Sequence, residues 1–174
     1  VLGVLPGRPQ PSQKHFDTSV WHALSQFDPA RPVFVESESR KVGNLSVPES
    51  LMLAMRASPC VRVDTPIELR VELLMQDYPF FVNDIDFFCT RLQTLKDLRG
   101  KEVVDAWCQA ARAGHEKDVV RQLLEEHYDP GYANSTHRNY AQFSQALTVT
   151  VDDISLTALQ TVAQRLLSLV AQLK

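Results

Sequence analysis

The sequence predicts an α/β fold: a short parallel sheet with flanking helices and a helical insert. Three observations predict it. Short runs at Pro32–Val35, Cys60–Val63 and Thr148–Val151 read as strands, the first being the kind of continuous apolar run that parallel sheets bury. Apolar residues at three- and four-residue steps fill the stretches between them. The resulting order is helix, strand, loop, helix, strand, helix, helical insert, strand and helix, which is the order of strands joined by helical crossovers.

The elements follow in turn. Residues 1–11 (VLGVLPGRPQP) are a loop punctuated by Gly and Pro. Ser12 can cap a first helix, whose apolar face is Phe16, Val20, Ala23, Leu24 and Phe27, and Asp28-Pro29 ends it. After the strand at Pro32–Val35 comes a polar loop, Glu36–Asn44. Ser46 and Glu49 form a capping box for a second helix, with Leu51, Met52 and Met55 as its stripe and Ser58-Pro59 as its stop. Behind the second strand, Thr65-Pro66-Ile67-Glu68 starts a third helix, lined by Ile67, Val71, Leu74, Met75 and Tyr78. Residues 80–128 read as helices throughout, with breaks at Arg99-Gly100 and Gly114. His127–Tyr132 reads as a turn. Residues 154–173 read as a closing amphipathic helix. The whole chain, 1–174, is expected to form one domain with the insert at about 80–128.

Composition narrows the function. The 174 residues are 44% hydrophobic and 22% charged, which suits a globular domain and not a disordered one. No apolar run approaches the roughly 20 residues of a membrane span, so no membrane role is expected. A net charge of −3 rules out a basic footprint over the whole surface, so any nucleic-acid contact has to come from a local patch. Cys60, Cys89 and Cys108 are odd in number and far apart. That argues against a disulfide framework or a zinc knuckle and for the reducing cytoplasm, with the thiols buried and inert. The five histidines have no metal-ligand cadence. With no initiating Met, the chain is expected to be a piece of a longer protein.

Functional loops of parallel sheets lie at the carboxyl ends of their strands. The loop after Val35 is therefore the first place to look for chemistry. Between Glu36 and Lys41 it carries Glu36, Ser37, Glu38, Ser39, Arg40 and Lys41, with Gly43 close behind. A carboxylate such as Glu36 at a strand end can hold magnesium through water. Arg40 can clamp a phosphate with two hydrogen bonds, and Gly43 lets the backbone approach a ligand. The competing reading is a solvated loop with weak surface ion pairs. Arg70, between Glu68 and Glu72 on its helix, has the same two readings: phosphate contact, or ordinary helix-surface pairing. No Gly-rich phosphate loop ending in Lys-Ser/Thr occurs anywhere in the chain.

Three stretches together resemble the bacterial tRNA 2-selenouridine synthases. They are Gln10-Pro11-Ser12-Gln13 with Phe16; Glu36-Ser37-Glu38-Ser39-Arg40-Lys41-Val42-Gly43 with Pro48 and Leu51; and Glu125-Glu126-His127-Tyr128-Asp129-Pro130-Gly131-Tyr132. Arg70 and Tyr78 fall where that family also has an Arg and a Tyr. The resemblance implies the C-terminal part of a P-loop NTPase-like domain, preceded in the family by a rhodanese-like domain with an active-site Cys and by a Walker A loop. It implies a transferase that converts wobble 2-thiouridine in tRNA to 2-selenouridine through an S-geranyl intermediate. The implied substrates are geranyl diphosphate and selenophosphate. The implied partner is tRNA and not DNA. In that reading Glu36, Glu38 and Arg40 are catalytic, near a magnesium-bound diphosphate, while Ser39, Gly43 and Arg70 bind substrate. The piece alone is expected to be inactive. Two other readings stay open: a P-loop kinase-like phosphotransferase, and a non-enzymatic module in which residues 80–128 dock tRNA or protein.

Overall fold

The computed structural model describes residues 9–37 and 40–170. Helix α1 (Gln13–Ser25) is capped by Ser12, whose Oγ accepts from the His15 amide at 3.3 Å. A small antiparallel hairpin follows, β1 (Lys41–Val42) and β2 (Leu45–Ser46), paired Lys41 to Ser46 and Val42 to Leu45. Helix α2 (Glu49–Ala57) leads to β3 (Val61–Asp64), and helix α3 (Ile67–Asp77) follows that strand. The helical body comprises α4 (Pro79–Asn83), α5 (Ile85–Gln93), α6 (Lys96–Arg99), α7 (Lys101–Arg112), α8 (Glu116–Gln122), a π-helical segment (Leu123–Tyr128) and α9 (Asp129–Asn139). Strand β4 (Leu147–Thr150) returns to pair with β3 in parallel, with Val63 opposite Val149, and α10 (Leu156–Val170) follows. The α/β class holds: two small sheets and many helices.

Burial explains why the helical body is well formed. Val104, Trp107, Cys108 and Ala111 recur at helical spacing along α7 and are all buried. They meet Phe88, Cys89 and Leu92 of α5, with Val119 and Leu123 closing the core. The Trp107 indole is satisfied as well as buried, donating from Nε1 to Gln122 Oε1 at 2.7 Å. Gly100, at φ 86°, and Gly114, at φ 84°, make the turns expected at both breaks.

Several expectations are corrected. Pro32–Val35 forms no strand: Val33, Phe34 and Val35 have no regular secondary structure and are 45%, 49% and 51% exposed. A strand needs a hydrogen-bonded neighbour, and among the described residues no other strand pairs with this run. The capping box at Ser46 is not used, because Ser46 belongs to β2 and α2 starts at Glu49 after Pro48. Pro66 sits just before α3 and not within it. His127–Tyr132 is not a turn but continuous helix, from the π-helical segment into α9. Pro130 falls in the first turn of α9, where its missing N–H costs little, so Asp129-Pro130-Gly131 does not break the chain. Helix α1 stops at Ser25, three residues before Asp28-Pro29.

Candidate functional site

The described part of the Glu36–Asn44 loop is anchored at both ends. Glu36 is exposed. Ser37 is half-buried, and its hydroxyl hydrogen-bonds the Tyr132 hydroxyl on α9. Glu38 and Ser39 lie outside the described residues. Arg40 is exposed, and its carbonyl accepts from the Val47 amide at 2.9 Å, closing the hairpin. Gly43 makes the hairpin turn at φ +63°, a conformation that favours glycine. A Cβ there would lie 2.5 Å from the side-chain amide of Gln10.

Arg70 does not pair with Glu68 or Glu72. It donates to Asp129 in a two-pronged fork, Nη1 to Oδ2 at 2.8 Å and Nη2 to Oδ1 at 2.5 Å. Glu68 is taken instead by Arg121 of α8. The hydrogen bonds that Arg70 donates to Asp129 hold its guanidinium more firmly protonated. Burial works against this, and the charges of Asp129 and Asp64 reinforce it. Asp129 and Tyr132 stand three residues apart, neighbours on one face of the first turn of α9. That turn therefore gathers the loop after Val35, through Ser37, and the helix after β3, through Arg70. Sequence reasoning missed Asp129 and Tyr132 as partners because it read their segment as a turn. The signal available was the i, i+3 spacing of Asp and Tyr behind an apolar helix.

An apolar cleft opens beside this junction. Its walls include Leu74 of α3, Tyr78 between α3 and α4, Phe81 of α4, and Leu123, Leu124 and Tyr128 of the π-helical segment. Leu74 is one helical turn beyond Arg70, and Tyr128 immediately precedes Asp129, so charged junction and apolar cleft adjoin along both helices. π-helical turns concentrate at functional sites, where the widened turn redirects side chains.

Titration follows from this packing. Burial pushes the Tyr128 phenol up to about 12, with the nearby Tyr78 adding to it. The ordinary value is 10.0, so between pH 10 and 12 the folded chain keeps a proton that the unfolded chain releases. Stability from this group is complete below pH 10 and is lost as pH rises toward 12. We therefore expect Tyr128→Phe to flatten the loss of stability over that range, measured by urea unfolding at stepped pH; an unchanged slope would show that Tyr128 does not drive it. His127 has the opposite sense. Burial, then the Arg99 charge, lowers it below its ordinary 6.5, so its contribution fades as pH falls below that value. The Cys89 and Cys108 thiols are buried as expected, and burial pushes Cys89 up to about 11. Cys60 is half-buried and also raised by burial. Among the described residues no group of three His, Cys, Asp or Glu side chains is placed to hold a metal ion.

Fold and site together define an α/β domain whose charged loop after Val35 is tied to a helical body beside an apolar cleft. Comparison with known proteins shows what this chain is similar to. Residues 3–85 match the family model of the tRNA 2-selenouridine synthase AAA domain. The chain is 37% identical over 163 residues to the tRNA 2-selenouridine synthase of Cupriavidus pinatubonensis, covering 78% of this chain and 44% of that protein. It is 29% identical over 188 residues to the Hahella chejuensis synthase, covering 83% and 49%, and 25% identical over 153 residues to that of Marinobacter nauticus, covering 71% and 41%. The resemblance seen in the sequence is borne out: this chain is similar to the tRNA 2-selenouridine synthases over most of its length. It spans about half the length of these curated relatives. No solved structure matches it. No helix among the described residues is long and apolar enough to cross a membrane.

Proposed function

We propose that this chain is the C-terminal part of the P-loop domain of a cytoplasmic transferase that converts wobble 2-thiouridine in tRNA to 2-selenouridine. The observation that carries the reading is the convergence of three family-like stretches. Gln10–Gln13 bonds to the hairpin that follows Arg40, Ser37 reaches Tyr132, and Arg70 grips Asp129. The rest of the P-loop domain would cover what is left open here: the two-stranded β3–β4 sheet, Val63 on it at 55% exposed, and the Val33–Val35 run.

The chemistry assigned to the site is S-geranylation followed by selenation. In the first step the thiocarbonyl sulfur of tRNA attacks the terminal CH2 of geranyl diphosphate. The C–S bond forms, the C–O bond breaks, and diphosphate leaves with the electron pair. Selenium of selenophosphate then attacks C2 of the base, the geranyl thiolate leaves with the C–S electron pair and takes up a proton, and water removes the phosphoryl group from selenium as phosphate, leaving C2=Se. A fixed cation aimed at the departing oxygens lowers the first barrier, and Arg40 is assigned that role. Arg70 has the planar fork that suits a phosphate as well as a carboxylate. Ser39 and Gly43 are assigned to the same substrate. Glu36 and Glu38 would hold magnesium arriving with the diphosphate, since magnesium is commonly bound by one or two carboxylates plus substrate phosphates. The adjoining cleft suits the ten-carbon chain, each buried CH2 of which contributes about 0.8 kcal/mol.

In the full-length enzyme, Arg40→Ala is expected to lower geranylation about a hundredfold, the scale of one lost transition-state donor. Geranylated and selenated tRNA would be quantified separately. Unchanged yields of both would remove Arg40 from the mechanism. This chain by itself is expected to form neither product.

A further inference from the structure

We infer that Gln10 and Gln13 are positioning residues whose side-chain amides act as a third strand on the β1–β2 hairpin and so fix where Arg40 stands. Resting on the proposed function for the role of Arg40, the inference itself comes from the hydrogen bonds. Gln10 straddles the turn, donating from Nε2 to the Val42 carbonyl at 2.7 Å and accepting at Oε1 from the Asn44 amide at 2.9 Å. Gln13 takes both main-chain groups of one residue, donating to the Ser46 carbonyl at 2.8 Å and accepting from the Ser46 amide at 2.8 Å. In an antiparallel pair, alternate residues turn their N–H and C=O outward. The Arg40–Val47 bond makes Ser46 such a residue, and Gln13 satisfies both of its groups.

These amides also decide what α1 is doing there. Among the described residues of α1 none is fully buried, Phe16 and Val20 being only half-buried, so polar bonds carry much of the attachment of the helix to the hairpin. Its first turn is attached by the Gln13 bonds, with Gln10 just ahead of the cap. Gly43 is fitted to the same contact, because a Cβ would strike the Gln10 amide. Arg40 is three residues from Ser37, so its Cα lies within about 11 Å of the Ser37 Cα, whose side chain is bonded to Tyr132 of α9. The loop is thus pinned to α9 on one side of Arg40 and to the two glutamines on the other.

Two measurements test this. Amide hydrogen exchange on this chain should show Asn44 at least tenfold faster in Gln10→Ala and Ser46 at least tenfold faster in Gln13→Ala. Val63 and Val149, in the parallel sheet, should be unchanged. Unaltered exchange at Asn44 and Ser46 would overturn the clamp. In the full-length enzyme, Gln10→Ala and Arg40→Ala should each slow geranylation, and the double variant should be no slower than Arg40→Ala alone. Losses that multiply would show that Gln10 does not act through Arg40 and would also overturn the inference. A wild-type rate for Arg40→Ala would instead sink the proposed function and the positioning role with it, while leaving the exchange result intact.

Discussion

Arg70→Ala in the full-length enzyme is expected to cut geranylation by about a hundredfold while leaving the domain folded. The stability cost is small because the pair is partly solvated: the Arg70 and Asp129 side chains are 32% and 42% exposed. Such pairs contribute about 1 kcal/mol or less. The catalytic cost is larger for two reasons. A fork that suits phosphate would be lost, and Asp129 would be left as an uncompensated carboxylate where the proposed function seats an anion. Arg70→Lys should rescue stability but not rate, since an ammonium cannot make the two parallel bonds. A steady-state comparison of the three proteins checks this; a lysine variant at full rate would show that charge alone suffices at position 70.

Trp107→Ala should produce the largest stability loss available in the chain, about 3–5 kcal/mol. The ring is 3% exposed at the centre of the α5–α7 packing, and its removal also strips Gln122 of its donor. For a chain of this size the melting temperature should fall by roughly 10 °C, at about 2–4 °C per kcal/mol. The second tryptophan is the internal control. Trp21 on α1 is 69% exposed, and Trp21→Ala should stay within about 0.5 kcal/mol of the parent. Urea titrations followed by circular dichroism would separate the two. Equal losses would mean that the helical body is not the principal core.

The parts of this fold readable in the sequence are those set by local pattern. Val103, Val104, Trp107 and Ala111 read as one helix stripe by their spacing, and all but Val103, which is exposed, are buried in the folded chain. Gly100 and Gly114 mark breaks because their positive φ cannot continue a helix. The strands at Val61–Asp64 and Leu147–Thr150 lie within one residue of where their apolar runs place them. What failed depends on partners distant in sequence. Val33–Val35 has the composition of a buried strand, but composition carries no neighbour with which to pair. Asp129-Pro130-Gly131 has the residues of a turn, yet the π-helical segment before it puts Pro130 where a helix tolerates it.

The site divides in the same way. Placement at a strand end drew attention to Glu36–Gly43, and Arg70 stood out by its position on the following helix. The partners were hidden, because Ser37 meets Tyr132 across 95 residues and Arg70 meets Asp129 across 59. The two glutamines were visible only as part of a resemblance; their pairing with the hairpin is a property of the fold. Burial of Tyr128, and with it the apolar cleft beside the charged junction, likewise needed helices α3, α4 and α8 brought together.

Photo-crosslinking tests the pairing of charged junction and apolar cleft most directly. A geranyl diphosphate analogue with a diazirine on its distal isoprene unit would be irradiated with the full-length enzyme and the labelled peptides sequenced. The prenyl label is expected on Leu74–Tyr78 and Leu123–Tyr128, competed away by unmodified geranyl diphosphate and weakened by Arg70→Ala. Competable labelling that fell on the β3–β4 sheet or on α10, and spared both cleft segments, would contradict the account.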